Sequence, residues 1–317
     1  MLSESNSRDV YMDISYGDKF RKALKRIYCD RSLYIILLPA MLYFVVFSLW
    51  PIYGMKMAFE DYRVVGKSVW VGLKHINELL GSPAFYNVLK NTLIISAMKI
   101  ILYFPIPVIF ALLLNEITNS TFKNFTQAVS YLPHFLSYVV IAGIWISLLS
   151  PQTGAVNQIL GLFNISPIDF MTSKTHFRWV LFFSETWRST GWDSIIYVAA
   201  ILNINNEIYE AADVDGANRL QVIRHIIIPE LKMPMITLFI LNLGFFLNAG
   251  FDQVFNFMND SVISVGDILD TYVYRMGLLN GQYSYATAAS LFKGVIGVVL
   301  ILISHFVSKK ISGKGVW

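Results

Sequence analysis

The chain has 317 residues, of which 55% are hydrophobic and 15% are charged, and its mean hydropathy is +0.54. This composition predicts a membrane protein with one bundle of spans instead of two soluble domains. The formal net charge is only +4, and the cations gather at the ends of apolar runs, which argues against nucleic acid as a partner. Cys29 is the single cysteine, so an internal disulfide is excluded, and no Cys/His cluster has metal-ligand spacing.

The first 32 residues form a polar segment with seven Lys and Arg, and six apolar runs follow it. The basic residues predict either a helix on an anionic leaflet or a charge cluster that sets topology. Each run approaches the roughly 20 residues that a membrane span needs. The predicted spans cover about 33–59, 91–114, 128–149, 179–202, 235–257 and 286–307. The predicted fold class is therefore an all-α membrane protein with six transmembrane helices in a domain over 33–307 and a tail over 308–317.

Prolines predict irregular backbone in the second span. Pro105 and Pro107 should bend the second span or break its hydrogen-bond ladder, because proline has no N–H to donate. Pro133 lies early in the third span.

The distribution of Lys and Arg predicts the topology. With six spans the two termini share one side, and the segments on that side hold 14 Lys and Arg, against 6 in the loops on the other side. This bias places both termini and the loop 203–234 in the cytoplasm. The predicted location is a plasma membrane that the chain crosses several times.

A polar island, residues 207–229, lies within this loop and is predicted to form two short helices at the membrane surface. Asn206 is the expected N-cap of the first helix, in which Glu207 and Glu210 favour the positive end of the helix dipole. Ala211 and Ala212 leave a face without bulk, which would let the groove of another protein approach the backbone closely.

Gly216 is expected to end the first helix of the island. A second helix is expected to begin at Ala217 and to place Leu220, Ile223 and Ile227 on one side before it ends at Pro229.

The fourth span carries polar residues that should face the bundle or a water-filled cavity. Glu185 and Arg188 are three residues apart, so they can form a structural ion pair or contact a substrate. Asp193 is expected to bond a neighbouring span. Trp187 and Trp192 are either platforms for sugar rings or interfacial anchors.

The fifth span carries a second polar group. Asn242 and Asn248 offer both donors and acceptors, as sugar hydroxyls require. Phe251, Asp252 and Gln253 form the most concentrated polar and aromatic group, near the predicted outer end of the span, and are candidates for the lining of a substrate pathway.

Motifs for other functions are missing from the sequence. It contains no Gly-x-x-x-x-Gly-Lys-Ser/Thr loop, so the chain is not expected to hydrolyse nucleotides itself. It also lacks a Gly-x-Ser-x-Gly elbow and a His-Glu-x-x-His motif, and its five histidines are scattered. A membrane-embedded enzyme and a membrane scaffold or sensor are the alternatives from other classes. Glu185 and Asp193 make a poor catalytic pair, because eight residues separate them by roughly 12 Å along a helix.

The polar island also carries a resemblance to a known family. Glu210-Ala211-Ala212, then Asp215-Gly216-Ala217 and finally Ile228-Pro229 resemble the "EAA" loop of binding-protein-dependent ABC importer permeases, in which leucine is usual at the position of Ile228. The resemblance implies a type I importer permease whose 207–229 loop is the coupling helix that docks on an ATPase subunit. The residues that it assigns to coupling are Glu207, Glu210, Ala211, Ala212, Asp215, Gly216, Ala217 and Pro229.

Further motifs extend the resemblance over nearly the whole chain from about residue 30. Segments 131–135, 157–161, 191–197, 270–275, 281–288 and 313–317 are similar to permeases for lipoprotein or polysaccharide transport in Gram-positive bacteria, which belong to the carbohydrate-uptake group. Membership implies a heterodimer with a second, homologous permease, two ATPase subunits, an external lipid-anchored solute-binding protein and an oligosaccharide cargo. It also implies that this chain binds no cofactor and that ATP with Mg²⁺ is bound by the partner ATPase.

Overall fold

The computed structural model describes residues 30–312, and the two terminal segments, including the basic cluster and the tail, lie outside the described residues. The chain divides into two units, one that ends at Lys56 and one that begins at Met57. In the first unit, helix α1 (Arg31–Phe44) contains Pro39 and continues into a π turn (Val45–Leu49). A 3₁₀ segment (Trp50–Phe59) follows.

The second unit begins with a short antiparallel hairpin of β1 (Glu60–Asp61) and β2 (Val69–Trp70), in which Glu60 pairs with Trp70 and Asp61 with Val69. The rest of the described unit is helical. Its helices are α2 (Lys74–Leu80), α3 (Pro83–Met98), α4 (Pro105–Asn115), α5 (Ser120–Tyr131), α6 (Tyr138–Leu148), α7 (Ala155–Leu162), α8 (Phe177–Leu202), α9 (Asn206–Val214), α10 (Arg219–Val222), α11 (Ile228–Gly244), α12 (Phe251–Phe257), α13 (Ile263–Gly266), α14 (Leu269–Tyr274) and α15 (Tyr283–Ser312). Three π turns, Lys99–Tyr103, Ile223–Ile227 and Arg275–Leu279, and a 3₁₀ turn, Leu132–Phe135, complete it.

The described helices account for the predicted spans. Four stretches have the length and composition of a span, namely Arg31–Phe59, Pro83–Asn115, Arg219–Gly244 and Tyr283–Ile303. The pair Ser120–Phe135 and Tyr138–Leu148 is a fifth if it counts as one broken span. The remaining predicted span, the fourth, corresponds to α8, whose 26 residues extend over roughly 39 Å but include four charged side chains.

The third span differs from the single helix predicted for it. The segment between the second and third predicted spans is already helical from Ser120 onward, and the chain then bends by 106° between Phe135 and Tyr138. The bend follows Pro133, after which Leu136 is extended and the Ser137 hydroxyl accepts a hydrogen bond from Val140 N to start α6. The prediction of one continuous span was therefore wrong at this position.

The fifth span is also broken, although a continuous helix was predicted over 235–257. It ends as α11 at Gly244 and resumes as α12 at Phe251, and in between Gly250 has φ +97°. A positive φ of this size strains any residue with a Cβ, so Gly250 is what permits the break. The second span behaves as its prolines predicted, since its ladder changes to a π turn immediately before α4 begins at Pro105.

Close packing of α5 on α8 fixes the centre of the second unit. A methyl group at Gly191 would overlap the backbone carbonyl of Ser130, so only glycine allows the two helices to approach this closely. Buried side chains of α4 and α8, including Val108, Ala111 and Ile201, form an apolar cluster beside this contact.

Candidate functional site

The loop 203–234, which was predicted to be cytoplasmic, contains two short helices with capped ends. α9 ends in a Schellman motif, in which Ala217 N donates to Ala212 O at 2.9 Å and Gly216 N donates to Asp213 O at 3.1 Å. Gly216 has φ +72°, the left-handed conformation that this motif requires. Gly216 therefore ends the first helix, as predicted.

Two details of the loop prediction were wrong. The N-cap of α9 is Asn205, whose side chain accepts from Glu207 N at 3.1 Å, and Asn206 is already the first helical residue. Pro229 does not end the second helix but lies in the first turn of α11, where its missing N–H costs little. The helical chain thus continues from Arg219 through a π turn to Gly244.

The second helix of the loop begins at a capping box that the sequence analysis missed. Asn218 Oδ1 accepts from Gln221 N at 2.9 Å, and Asn218 N donates to Gln221 Oε1 at 2.7 Å. The spacing Asn-x-x-Gln was the available signal for this cap.

Side chains of the loop pack on the bundle while the predicted coupling residues face outward. Tyr209, Val222 and Ile226 pack against the buried cluster formed by α4, α8 and the start of α11. The predicted residues Glu207, Glu210, Ala211, Asp215, Gly216 and Pro229 are exposed, whereas Ala212 and Ala217 are half-buried. The loop therefore presents small residues together with the exposed side chains of Val214 and Leu220, on a scaffold that is anchored to two spans.

A cavity of about 560 Å³ lies among the second, third, fourth and fifth spans. Its walls combine aromatic rings with polar groups. They are formed by Ser96, Lys99, Ile100, Tyr103, Phe104, Pro107, Tyr138, Glu185, Asp193, Ile196, Tyr197, Leu238, Leu241, Asn242, Phe245, Phe246, Asn248 and Gly250. Three of the residues predicted for a substrate pathway, Glu185, Asn242 and Asn248, therefore meet in one cavity.

Glu185 is the centre of the polar network on the cavity wall. Lys99 Nζ lies 3.7 Å from its Oε2, and the hydroxyls of Tyr138 and Ser189 each donate to its carboxylate at 2.9 Å. The predicted pairing of Glu185 with Arg188 was wrong, because Arg188 instead donates to His134 O at 3.2 Å and lies over the ring of Tyr138.

Asp193 supplies a second carboxylate to the cavity. It accepts a hydrogen bond of 2.5 Å from the hydroxyl of Tyr103, which extends from the π turn of the second span. The expectation that Asp193 bonds a neighbouring span is thus confirmed.

The other predicted pathway residues lie elsewhere. The ring centroids of Trp187 and Trp145 are 6.4 Å apart, and Trp187 lines a separate apolar groove of about 840 Å³. Phe251 stacks on Phe255, with ring centroids 5.3 Å apart. Asp252 is exposed, and its carbonyl accepts from Asn256 Nδ2.

Gln253 is fully buried, and its Nε2 donates to Leu181 O at 2.6 Å and to Ser184 Oγ at 2.9 Å. It therefore joins α12 to α8. Because Trp187, Phe251, Asp252 and Gln253 do not line the 560 Å³ cavity, their predicted contact with substrate would need a pathway surface outside it.

Sequence reasoning missed Lys99, Tyr103 and Tyr138. Lys99 is a lone cation within an apolar run, and an ionisable residue at membrane depth is a candidate for function by default, so a signal was present. The two tyrosines gave no comparable signal among the other aromatic residues. Over the described residues no group of three His, Cys, Asp or Glu is placed to hold a metal ion.

Comparison with known proteins gives a consistent result. Residues 103–313 match the family described as the binding-protein-dependent transport system inner membrane component. The chain is 38% identical to the polygalacturonan/rhamnogalacturonan transport system permease protein YteP of Bacillus subtilis, over 99% of both chains. It is also 38% identical to Protein LplB of the same species, over 95% of each chain.

A solved structure is also similar to this chain. A chain of a bacterial ABC transporter involved in the import of the acidic polysaccharide alginate superposes with a TM-score of 0.86 and 36% identity. The match covers 92% of this chain and 99% of that chain.

The broken spans, the polar cavity between them and the helical loop together define the fold of a type I ABC importer permease. The chain belongs to the family of binding-protein-dependent transport system inner membrane components. It is a transport subunit of the membrane and not an enzyme, and the family resemblance found in the sequence is confirmed.

Proposed function

We propose that this chain is one of two different permeases of an ATP-driven importer of complex oligosaccharides and forms half of the translocation pathway. The observation that carries the proposal is the cavity between the spans. Its carboxylates and amides match sugar hydroxyls, and its tyrosine and phenylalanine rings provide apolar faces for sugar rings. The names of YteP and of the alginate transporter, both for polysaccharide transport, support a carbohydrate cargo.

We propose that the loop 207–229 couples the spans to a cytoplasmic ATPase. Ala211 and Gly216 are small and exposed, and the side chain of Val214 between them is exposed as well, which suits docking in an apolar groove of a partner. Tyr209 and Ile226 connect the loop to the buried cluster of α4 and α8, so a displacement of the loop is passed to two spans. In this proposal ATP with Mg²⁺ binds to two ATPase subunits, and this chain holds no cofactor.

The remaining partners follow from the same proposal. A second, homologous permease completes the pathway, and an external lipid-anchored solute-binding protein delivers the cargo. A structure of the alginate transporter in complex with its alginate pentasaccharide-bound periplasmic protein, at a TM-score of 0.85, supports such delivery. The excess of Lys and Arg on one side supports an orientation with both termini in the cytoplasm.

Affinity purification of the tagged chain in mild detergent tests the proposal. The wild-type chain should recover a second permease and an ATPase, whereas Gly216→Pro should lose the ATPase, because proline cannot adopt φ +72°. Gly66→Pro is the matched control, since Gly66 has φ +105° in the hairpin on the predicted outer side. It should keep the ATPase.

Other outcomes would overturn parts of the proposal. Recovery of the wild-type chain alone would support a scaffold or sensor instead of a transporter. Retention of the ATPase by Gly216→Pro would refute the coupling role of the loop. Uptake assays with oligosaccharides released from polygalacturonan, arabinan and alginate test the cargo class, and failure of all of them would overturn it.

A further inference from the structure

The break in the fifth span exposes backbone groups that helical bonding does not satisfy. Between α11 and α12 the chain turns through residues 245–250, and this segment forms part of the cavity wall. Unpaired carbonyls are costly at membrane depth, so non-helical backbone persists there only where other groups satisfy it. The carbonyl of Ala249, a residue that is fully buried, has such a partner in Lys99 Nζ at 2.8 Å.

Lys99 reaches this carbonyl from the π turn of the second span. Its ammonium lies between Ala249 O and the Glu185 carboxylate, which is 3.7 Å away and is itself held by Tyr138 and Ser189. A single side chain thus connects the second, fourth and fifth spans at the cavity wall.

The fit around the ammonium is close. A methyl group at Gly250 would lie 2.7 Å from Lys99 Nζ, so glycine is needed for the approach of the ammonium as well as for φ +97°. Three residues after Gly250, Gln253 fixes α12 to Leu181 and Ser184. The end of the break that leads into α12 is therefore held by two side chains, Lys99 and Gln253.

We propose that Lys99 is a positioning residue for transport, which fixes the 245–250 break by donating to Ala249 O and thereby places the amide of Asn248 at the cavity. Glu185 balances the charge of the ammonium and aims it at the carbonyl. The inference rests on the proposed transport function, because only then does the position of Asn248 matter to cargo. It assigns to Lys99 a structural bond with the break instead of direct binding of a sugar.

The test measures the accessibility of the 245–250 break and requires no cargo. Because Cys29 is the single cysteine, Asn248→Cys in a Cys29→Ser background gives one thiol at the break. Its rate of modification by a negatively charged methanethiosulfonate is measured in the purified transport complex. Adding Lys99→Met should raise this rate roughly tenfold, as the loss of a hydrogen bond from a charged donor predicts, whereas Lys99→Arg should stay near the parent.

A charge swap separates the carbonyl bond from the ion pair. Lys99→Glu combined with Glu185→Lys restores opposite charges, but a glutamate at position 99 cannot donate to Ala249 O. The swap should therefore behave like Lys99→Met. A labelling rate restored to that of the parent by the swap would show that the ion pair alone matters and would overturn the proposal.

Two glycine variants keep the test decisive if the lysine variants do not fold. Gly250→Ala places a methyl group against the ammonium, whereas Gly281→Ala, at φ +67°, meets open space. Gly250→Ala should raise the labelling rate and Gly281→Ala should leave it unchanged. Equal rates in both would refute the role of Lys99, while a complex that labels as expected but takes up none of the oligosaccharides would refute only the proposed cargo.

Discussion

Gln253 and Leu181 are 72 residues apart, and the side-chain amide of the first donates to the backbone carbonyl of the second at 2.6 Å. Gln253 is fully buried, so this bond and the one to Ser184 Oγ are formed away from solvent. They attach the short helix α12 to the N-terminal third of α8. Without the amide of Gln253, Leu181 O would keep only one side-chain hydrogen bond, the one from Ser184 Oγ at 3.1 Å.

Gln253→Met should therefore destabilise the transport complex by about 1–3 kcal/mol, because it keeps the side-chain volume and removes both donors. The expected result is a lower midpoint of thermal unfolding in detergent. Asn256→Ala is the control, since the amide of Asn256 bonds only within its own helix, to Asp252 O. If both variants unfolded at the wild-type temperature, the hydrogen bond to Leu181 O would make no measurable contribution to stability.

Gly191→Ala should separate α5 from α8. The added methyl group would overlap the backbone carbonyl of Ser130, which cannot rotate away as a side chain would. Overpacking of this kind costs about 1–3 kcal/mol, which is measurable as reduced thermal stability and lower yield. Gly143→Ala on α6, where a methyl group meets nothing within 4 Å, should match the wild type.

Tyr103 and Asp193 should be energetically coupled. Tyr103→Phe leaves a carboxylate on the cavity wall without its donor, whereas in the double variant with Asp193→Asn that charge is gone as well. A double-mutant cycle of thermal stability should give a coupling free energy of about 1.5–3 kcal/mol, as for hydrogen bonds to charged groups. Additive effects of the two substitutions would mean that the 2.5 Å contact contributes nothing.

Asn218→Ala should weaken the cap of α10 by about 1 kcal/mol, because it removes the acceptor for Gln221 N. If the loop docks on an ATPase, this variant should lose the co-purifying ATPase at a lower detergent concentration than the wild type does. Ser82→Ala removes a comparable cap, from α3 on the predicted outer side, and should leave the co-purification unchanged. An equal loss in both variants would point to general destabilisation.

The helical class, the apolar runs and the polar island 207–229 were predictable because each depends on local pattern. Apolar runs of span length and the Gly216 stop are encoded by neighbouring residues. Even the separation of Trp187 from Glu185 was accessible, because two residues correspond to about 200° around a helix, which directs the two side chains to different sides.

The break in the fifth span was not predictable from these patterns, whereas Pro133 was an available signal for the bend in the third span. Residues 245–250 are mostly apolar, like the residues of a membrane-spanning helix. A non-helical backbone is tolerated there because of the tertiary partners Lys99 and Gln253. The ion pair of Glu185 also depends on tertiary structure. Glu185 pairs with Lys99, which the fold brings within 3.7 Å, and not with Arg188, its neighbour in sequence. Long-range contacts of this kind carry no local signal.

The π turn at Lys99–Tyr103 is one of four in the described chain, and it has a consequence for the phase of the second span. A π turn inserts one extra residue, which offsets every later side chain by about 100° around the axis. Lys99 and Tyr103, the first and last residues of this turn, both reach the wall that contains Glu185 and Asp193. Deletion of one isoleucine from this turn would change no charge near the cavity, yet it would rotate α4 out of register with α3.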